Sequence, residues 1–190
     1  MANAFHELCS RLSLLGMTDG PNERALDRAL RGITLDAIGP DGRPLLAEMS
    51  WQGAVYAVAY LLKKGADVNR LGARHPRGPA LAVAMASTCS PRRAKAEIVK
   101  LLLAAGADPN AKIVAAPGTD GTGAFRSGTV LDYALAQAAA EMRVGREYDA
   151  DSQRHAKEMV QSFRETIPLV IAAGGTMSAA SERNLKKLGP

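Results

Sequence analysis

The chain is predicted to be an all-α solenoid, a single stack of paired helices, and three observations carry that prediction. Aromatic residues make up 4% of the chain while Ala, Leu and Gly are abundant. Closely packed helices suit that composition better than a β-sandwich, whose strands favour aromatic and β-branched side chains. Two stretches end alike: "AVAYLLKKGADVN" (57–69) and "EIVKLLLAAGADPN" (97–110) both place a leucine pair shortly before Gly-Ala-Asp. Helical runs stop at glycine four times, at Gly32, Gly65, Gly106 and Gly174. A left-handed residue at a helix end costs little only for glycine.

The elements follow in order. Residues 2–16 form the first inner helix. The run "ERALDRALRG" (23–32) is the first outer helix, with Ala25, Leu26, Ala29 and Leu30 on one face and Pro21 at its start. The second inner segment is "DGRPLLAEMSWQG" (41–53), with counterparts at "RGPALAVAMAS" (77–87) and "SGTVLDYALAQ" (127–137). Ser90 followed by Pro91 makes an N-cap and first turn, which sets the third outer helix at 91–105. In the last unit a break between Gly145 and Asp151 separates an inner helix near 129–146 from an outer one near 151–173, kinked at Pro168. The closing run "SAASERNLKKL" (178–188) reads as a capping helix, whose polar face an open-ended stack needs. The whole is one domain, with units at about 1–40, 41–74, 75–125 and 126–177 and a cap at 178–190.

With these residues in place the chain resembles the ankyrin-repeat family, whose units read roughly G-x-T-P-L-H-x-A-A-x-x-G and then an outer helix ending L-L-x-x-G-A-D. Gly42, Leu46, Met49, Gly53, Leu61, Leu62, Gly65, Ala66, Asp67 and Asn69 fall on that pattern. Leu81 and Leu131 repeat Leu46, and Leu102, Leu103, Gly106, Ala107, Asp108 and Asn110 repeat the ending. The resemblance covers roughly 22–174. Its tetrad is reduced to Pro44-Leu45-Leu46-Ala47, Pro79-Ala80-Leu81-Ala82 and Thr129-Val130-Leu131-Asp132, so the histidine that ties neighbouring loops in the family is absent. The third and fourth units are enlarged: Leu81 to Gly106 is six residues longer than Leu46 to Gly65, and Leu131 to Gly174 is longer by 24.

Chemistry-bearing patterns are few. His6, His75 and His155 fall in different units, and neither GxSxG nor HExxH occurs. His6 and Cys9, one helical turn apart, supply two ligands where a metal site needs three or four, and no metal or cofactor is expected. Cys9 and Cys89 form no CxxC pair and are expected as reduced, partly buried thiols. The glycine cluster "APGTDGTGAFRSGT" (116–129) lacks the Gly-Lys-Ser/Thr ending of a phosphate loop and follows no predicted strand, so it reads as a long finger. An enzyme reading would need Asp120, Arg126 and His155 to converge on a deep pocket.

The formal charge of +5 is uneven: from Arg70 to Ala96 six cations (Arg70, Arg74, Arg77, Arg92, Arg93 and Lys95) stand with no Asp or Glu. No aromatic residue is interleaved, which disfavours single-strand or base recognition. A solvated face is expected, with an acidic protein partner as the functional alternative. Glu7 and Arg11 interrupt the apolar N-terminal run and no stretch of about 18 apolar residues occurs. A soluble, cytoplasmic and monomeric chain is therefore expected.

By the family's layout, Trp51 and Gln52, then Ala86 and Ser87, then Ala136 and Gln137, look out of the concave surface. Trp51 is the only tryptophan and suits a binding anchor, with packing over the enlarged third unit as the alternative. Arg74, His75 and Arg77 lie in the finger before the third inner helix, and Phe125 and Arg126 end the long insertion; Phe125 also suits pinning that loop to the stack. The resemblance implies a non-catalytic module binding a partner protein through inner helices and fingers. Arg exceeds Lys sixteen to eight, a bias associated with GC-rich bacterial genomes. Two roles fit such a module: an immunity protein neutralising a cognate toxin, or an effector acting on host or rival proteins.

Overall fold

The structure, a computed structural model, describes residues 2–17, 23–73, 78–87, 92–114, 125–147 and 150–188. Its helices are α1 (Ala2–Met17), α2 (Glu23–Ala29), α3 (Leu45–Gln52), α4 (Val55–Lys63), α5 (Ala80–Ala86), α6 (Arg92–Ala104), α7 (Val130–Glu147), α8 (Ala150–Ala172) and α9 (Ala179–Leu188). Among the described residues the chain is all-α apart from one short pairing, β1 (Ile113–Val114) with β2 (Ser127–Gly128), and an isolated bridge between Ile38 and Pro44. Helices α3, α5 and α7 pack one on the next as an inner layer, and α4, α6 and α8 do the same as an outer layer. At one end α1 rests on α3 and α4, and at the other α9 rests on α7.

Composition explains the layering. Helix α5 buries Ala80, Leu81, Ala82, Ala84, Met85 and Ala86, six of its seven residues, because α3 and α7 flank it. Alanine on both sides lets those neighbours approach closely. Helix α4 instead buries a stripe, Ala57, Val58, Tyr60 and Leu61, at the spacing of one helix face. Both layers close over one continuous core that runs from Leu8 to Leu188.

Each outer helix ends in the same way. Gly65 has φ 91°, Gly106 87° and Gly174 89°, all left-handed. The Gly65 N–H donates to the Leu62 carbonyl and the Ala66 N–H to that of Leu61, both at 3.0 Å, and the pairs at Gly106–Ala107 and Gly174–Gly175 are equivalent. This double bond caps carbonyls that a helix end leaves open.

The turns are then hooked to one another. Asn69 accepts the Asp108 N–H at 2.9 Å and donates its amide to the Gly106 carbonyl at 3.1 Å. Asn110 repeats this one turn along, accepting from the Thr176 N–H at 2.8 Å and donating to the Gly174 carbonyl at 2.9 Å. Asp67 and Asp108 hold these asparagines by accepting the Asn69 and Asn110 N–H groups at 2.9 and 2.8 Å. Asp36 takes the equivalent place in the first turn and accepts the Asp67 N–H at 2.9 Å, but a carboxylate has no amide to donate.

One detail differs from the sequence reading. The finger after the third outer helix does follow a strand: Ile113 pairs with Gly128 and Val114 with Ser127, which satisfies backbone groups where the finger leaves and rejoins the stack. Pro168 is an exposed position inside the span of helix α8. Pro21, Ser90, Pro91 and Cys89 lie outside the described residues, as do residues 116–124 of the glycine cluster. The remaining expected helices are found within a few residues of their sequence positions.

Two tests follow from the turns. Asn69→Ala should lower stability by about 1 kcal/mol, whereas Asp36→Asn, which supplies the missing donor, should raise it by about 0.5 kcal/mol, both read from urea midpoints at constant m-value. A Cβ at Gly106 would meet no atom within 4 Å, so Gly106→Ala should destabilise by about 1–2 kcal/mol through backbone conformation alone.

Candidate functional site

The concave face of the inner layer gathers the residues with binding character. Trp51 is the penultimate residue of α3, which stops after Gln52 because Gly53 turns left-handed with φ 77°. In front of it a tight hairpin is closed by the Gly39 N–H donating to the Arg43 carbonyl at 2.8 Å. The next finger is stitched on by the Ala73 N–H donating to the Gly42 carbonyl at 2.7 Å. This backbone frame aims Arg43 back over the helix, with its guanidinium carbon 4.7 Å from the Trp51 ring centroid. Arg43 also donates to Glu48 at 2.9 Å and approaches Asp41 at 3.5 Å. The guanidinium is thus held against the indole from two sides, a geometry that favours cation–π attraction.

Trp51 is half-buried and opens onto a cavity of about 60 Å³ floored by Val83, Ala86, Ile113 and Tyr133. Its backbone is fixed from the neighbouring helix, since the Ser87 hydroxyl donates to the Trp51 carbonyl at 2.6 Å. Ser87 is 0% exposed. It acts by pinning the tryptophan, not by facing out as the sequence reading placed it, because the chain leaves α5 there and turns the hydroxyl towards α3. Gln52 is half-buried and donates to Glu48 at 2.7 Å.

Farther along, Phe125 is 7% exposed and stacks on Tyr133, with ring centroids 5.0 Å apart and planes tilted by 56°. It pins the finger onto the stack. This ring pair divides the Trp51 cavity from a larger groove of about 610 Å³ between α7 and α9. Arg126, exposed, lines that groove, whereas Gln137 is half-buried on α7 and lines neither cavity. Arg74, His75 and Arg77 lie outside the described residues, as does Asp120. His155 is exposed on α8 and lines neither cavity. Sequence reasoning missed Arg43 and Tyr133 here, and Arg143 and Lys187 in the groove. Each is an ordinary surface-type residue in its own segment, and only packing brings it to a site.

The N-terminal pair is chemically quiet. Burial, and then the charges of Glu48 and Asp41, push the Cys9 thiol up to about 12, which opposes the thiolate that a nucleophile or metal ligand requires. Among the described residues no group of three or more His, Cys, Asp or Glu is placed to hold a metal, and no helix is long and apolar enough to cross a membrane.

With this geometry in place, comparison with known proteins adds one match. Residues 81–113 fit the family model of the ankyrin repeat, which covers α5, α6 and the start of β1. No curated protein matches the chain.

The matched segment also holds three cations of the basic run, Arg92, Arg93 and Lys95, and the fold engages two of them. Arg92 pairs with Glu165 of α8, its Nε donating at 2.7 Å. Lys95 is 1% exposed, packed against α5 and α8, with its ammonium 4.7 Å from the Phe163 centroid and 3.4 Å from the Met85 carbonyl. Burial pushes it down from the ordinary 10.5 to about 7, against the opposing charge of Glu141. Unfolded, this lysine holds its proton up to about 10.5; folded, it releases it near 7. The folded state therefore binds fewer protons between those values, so Lys95 disfavours folding fully below about pH 7 and progressively less as pH rises towards 10.5. Lys95→Met should stabilise the chain most at pH 6 and should flatten the rise in melting temperature between pH 7 and 10, as followed by circular dichroism.

Proposed function

We propose that this ankyrin-repeat chain is a rigid protein-binding module of four helical pairs, with its partner seated on the concave face at Trp51. The observation that carries the reading is the Trp51 cavity itself. A half-buried indole, braced by Arg43 on one side and by Ser87 through its own carbonyl, opens onto an apolar floor with room for one aliphatic side chain. Large aromatic side chains at the rim of a small pocket, already immobilised, are the usual centres of binding energy. Little side-chain or loop ordering remains for the complex to offset. The site requires no catalytic group.

Within this reading the role we propose is that of a bacterial immunity protein, a monomer that holds a cognate toxin on this face. The arginine bias supports a bacterial source, and a preformed groove suits tight capture of one partner. A delivered effector uses the same physics with a different target.

Trp51→Ala and Arg43→Ala, each shown to keep the wild-type circular dichroism spectrum, should lose a partner captured by the wild-type chain from a lysate of the source organism, with affinity falling about tenfold or more. Binding unchanged in both variants would place the partner elsewhere. If the captured partner is the product of an adjoining gene that stops growth when expressed alone, co-expression of the wild-type chain should restore growth; capture without such rescue points to the effector role.

A further inference from the structure

We infer that the groove between α7 and α9 is a second docking site, and that its occupant is an acidic, extended segment of a partner protein. The groove exists because both helices face it with small side chains. Ala136 and Ala139 on α7 and Ala180 on α9 leave a channel of about 610 Å³, floored at one end by Met142. A partner can bury aliphatic side chains along this floor.

Its charge selects the partner. Arg126 stands where the finger rejoins the stack, Arg143 near the far end of α7, and Lys187 in the last turn of α9. None of the three forms an ion pair among the described residues. Among the described residues the one carboxylate lining the groove, Asp132, is already committed. It accepts the Ser178 N–H at 2.8 Å and the Thr129 N–H at 3.0 Å, which fastens the start of α9 to α7. Three cations against one internally bonded carboxylate leave two net positive charges along a channel with low-dielectric walls, where the field on an anion is focused. Cations on three different elements, spread along the groove, match an extended run of acidic residues better than a single compact anion.

The groove does not suit bases. Among the described residues its one aromatic ring, Phe125, is 7% exposed and packed on Tyr133, so it offers no face for stacking. Because the same ring pair borders the Trp51 cavity, one partner can reach both sites. The inference rests on the protein-binding reading only in taking the occupant to be a protein segment.

The probe is a short fluorescein-labelled peptide of alternating glutamate and leucine, titrated by anisotropy into the full chain. Binding should weaken about tenfold or more in the triple variant Arg126→Glu, Arg143→Glu, Lys187→Glu. It should fall as salt is raised, persist in Trp51→Ala, and be absent for the matching lysine–leucine peptide. If the triple variant loses its fold, Arg143→Gln replaces it and should weaken binding in the same direction. No binding to the wild-type chain, equal binding to a folded charge variant, or equally tight binding of an oligothymidylate with the same residue dependence would each overturn the proposal. Trp51-dependent capture of a partner is read separately, so the groove can fail while the main site stands.

Discussion

The asparagine hooks between successive turns are the constraint on which the rest depends. An outer helix that ends at a left-handed glycine must return towards the inner layer, and the angle of that return sets where the next pair begins. Asn69 and Asn110 each hold the following turn by a backbone N–H and a backbone carbonyl at once. Two bonds from one planar amide fix direction as well as distance. Helix packing alone allows neighbouring pairs to slide along their shared apolar faces; the hooks remove that freedom. Trp51 and Ser87 sit on different pairs, so their 2.6 Å bond exists only in this register.

That dependence explains what the sequence made legible. Helix positions and ends were readable because their signals are local: leucine pairs and a glycine after them. The absence of the family's loop histidine was readable too, but its consequence was not. The same Gly-Ala-Asp-x-Asn ending that follows α4 and α6 carries a tie between turns, and its partners lie 37 to 66 residues away. A side chain's hydrogen-bond partner at that distance is a property of the stack and has no signature in its own segment.

Charge shows the same limit more sharply. The run from Arg70 to Ala96 looks like the basic face of the protein when read along the chain. In three dimensions Arg92 is neutralised by Glu165 and Lys95 is taken inside against Phe163. Lys95 is tolerated because its long aliphatic stem packs like a core residue while its amine meets a carbonyl and a ring. Meanwhile Arg126, Arg143 and Lys187, spread across 61 residues of sequence, line one groove. Two cations of the sequence cluster are thus taken up by the stack, while three from separate segments meet at one groove.

The groove is built by α7, of the last pair, and α9. Helix α7 has 18 residues where α5 has seven, which at 1.5 Å per residue makes it about 27 Å long against about 11 Å. It packs against both α5 and α9. Ser178, held by Asp132, starts α9 beside α7, and Leu188 ends it buried. The alanines between them keep the two helices from interdigitating fully, and the space becomes the groove. An insertion that first looks like an irregularity of the repeat thus builds a second surface beside the first, separated from it only by the Phe125–Tyr133 ring pair. A partner spanning both meets an apolar anchor at one end and positive charge at the other, and each end selects against partners that satisfy only the other.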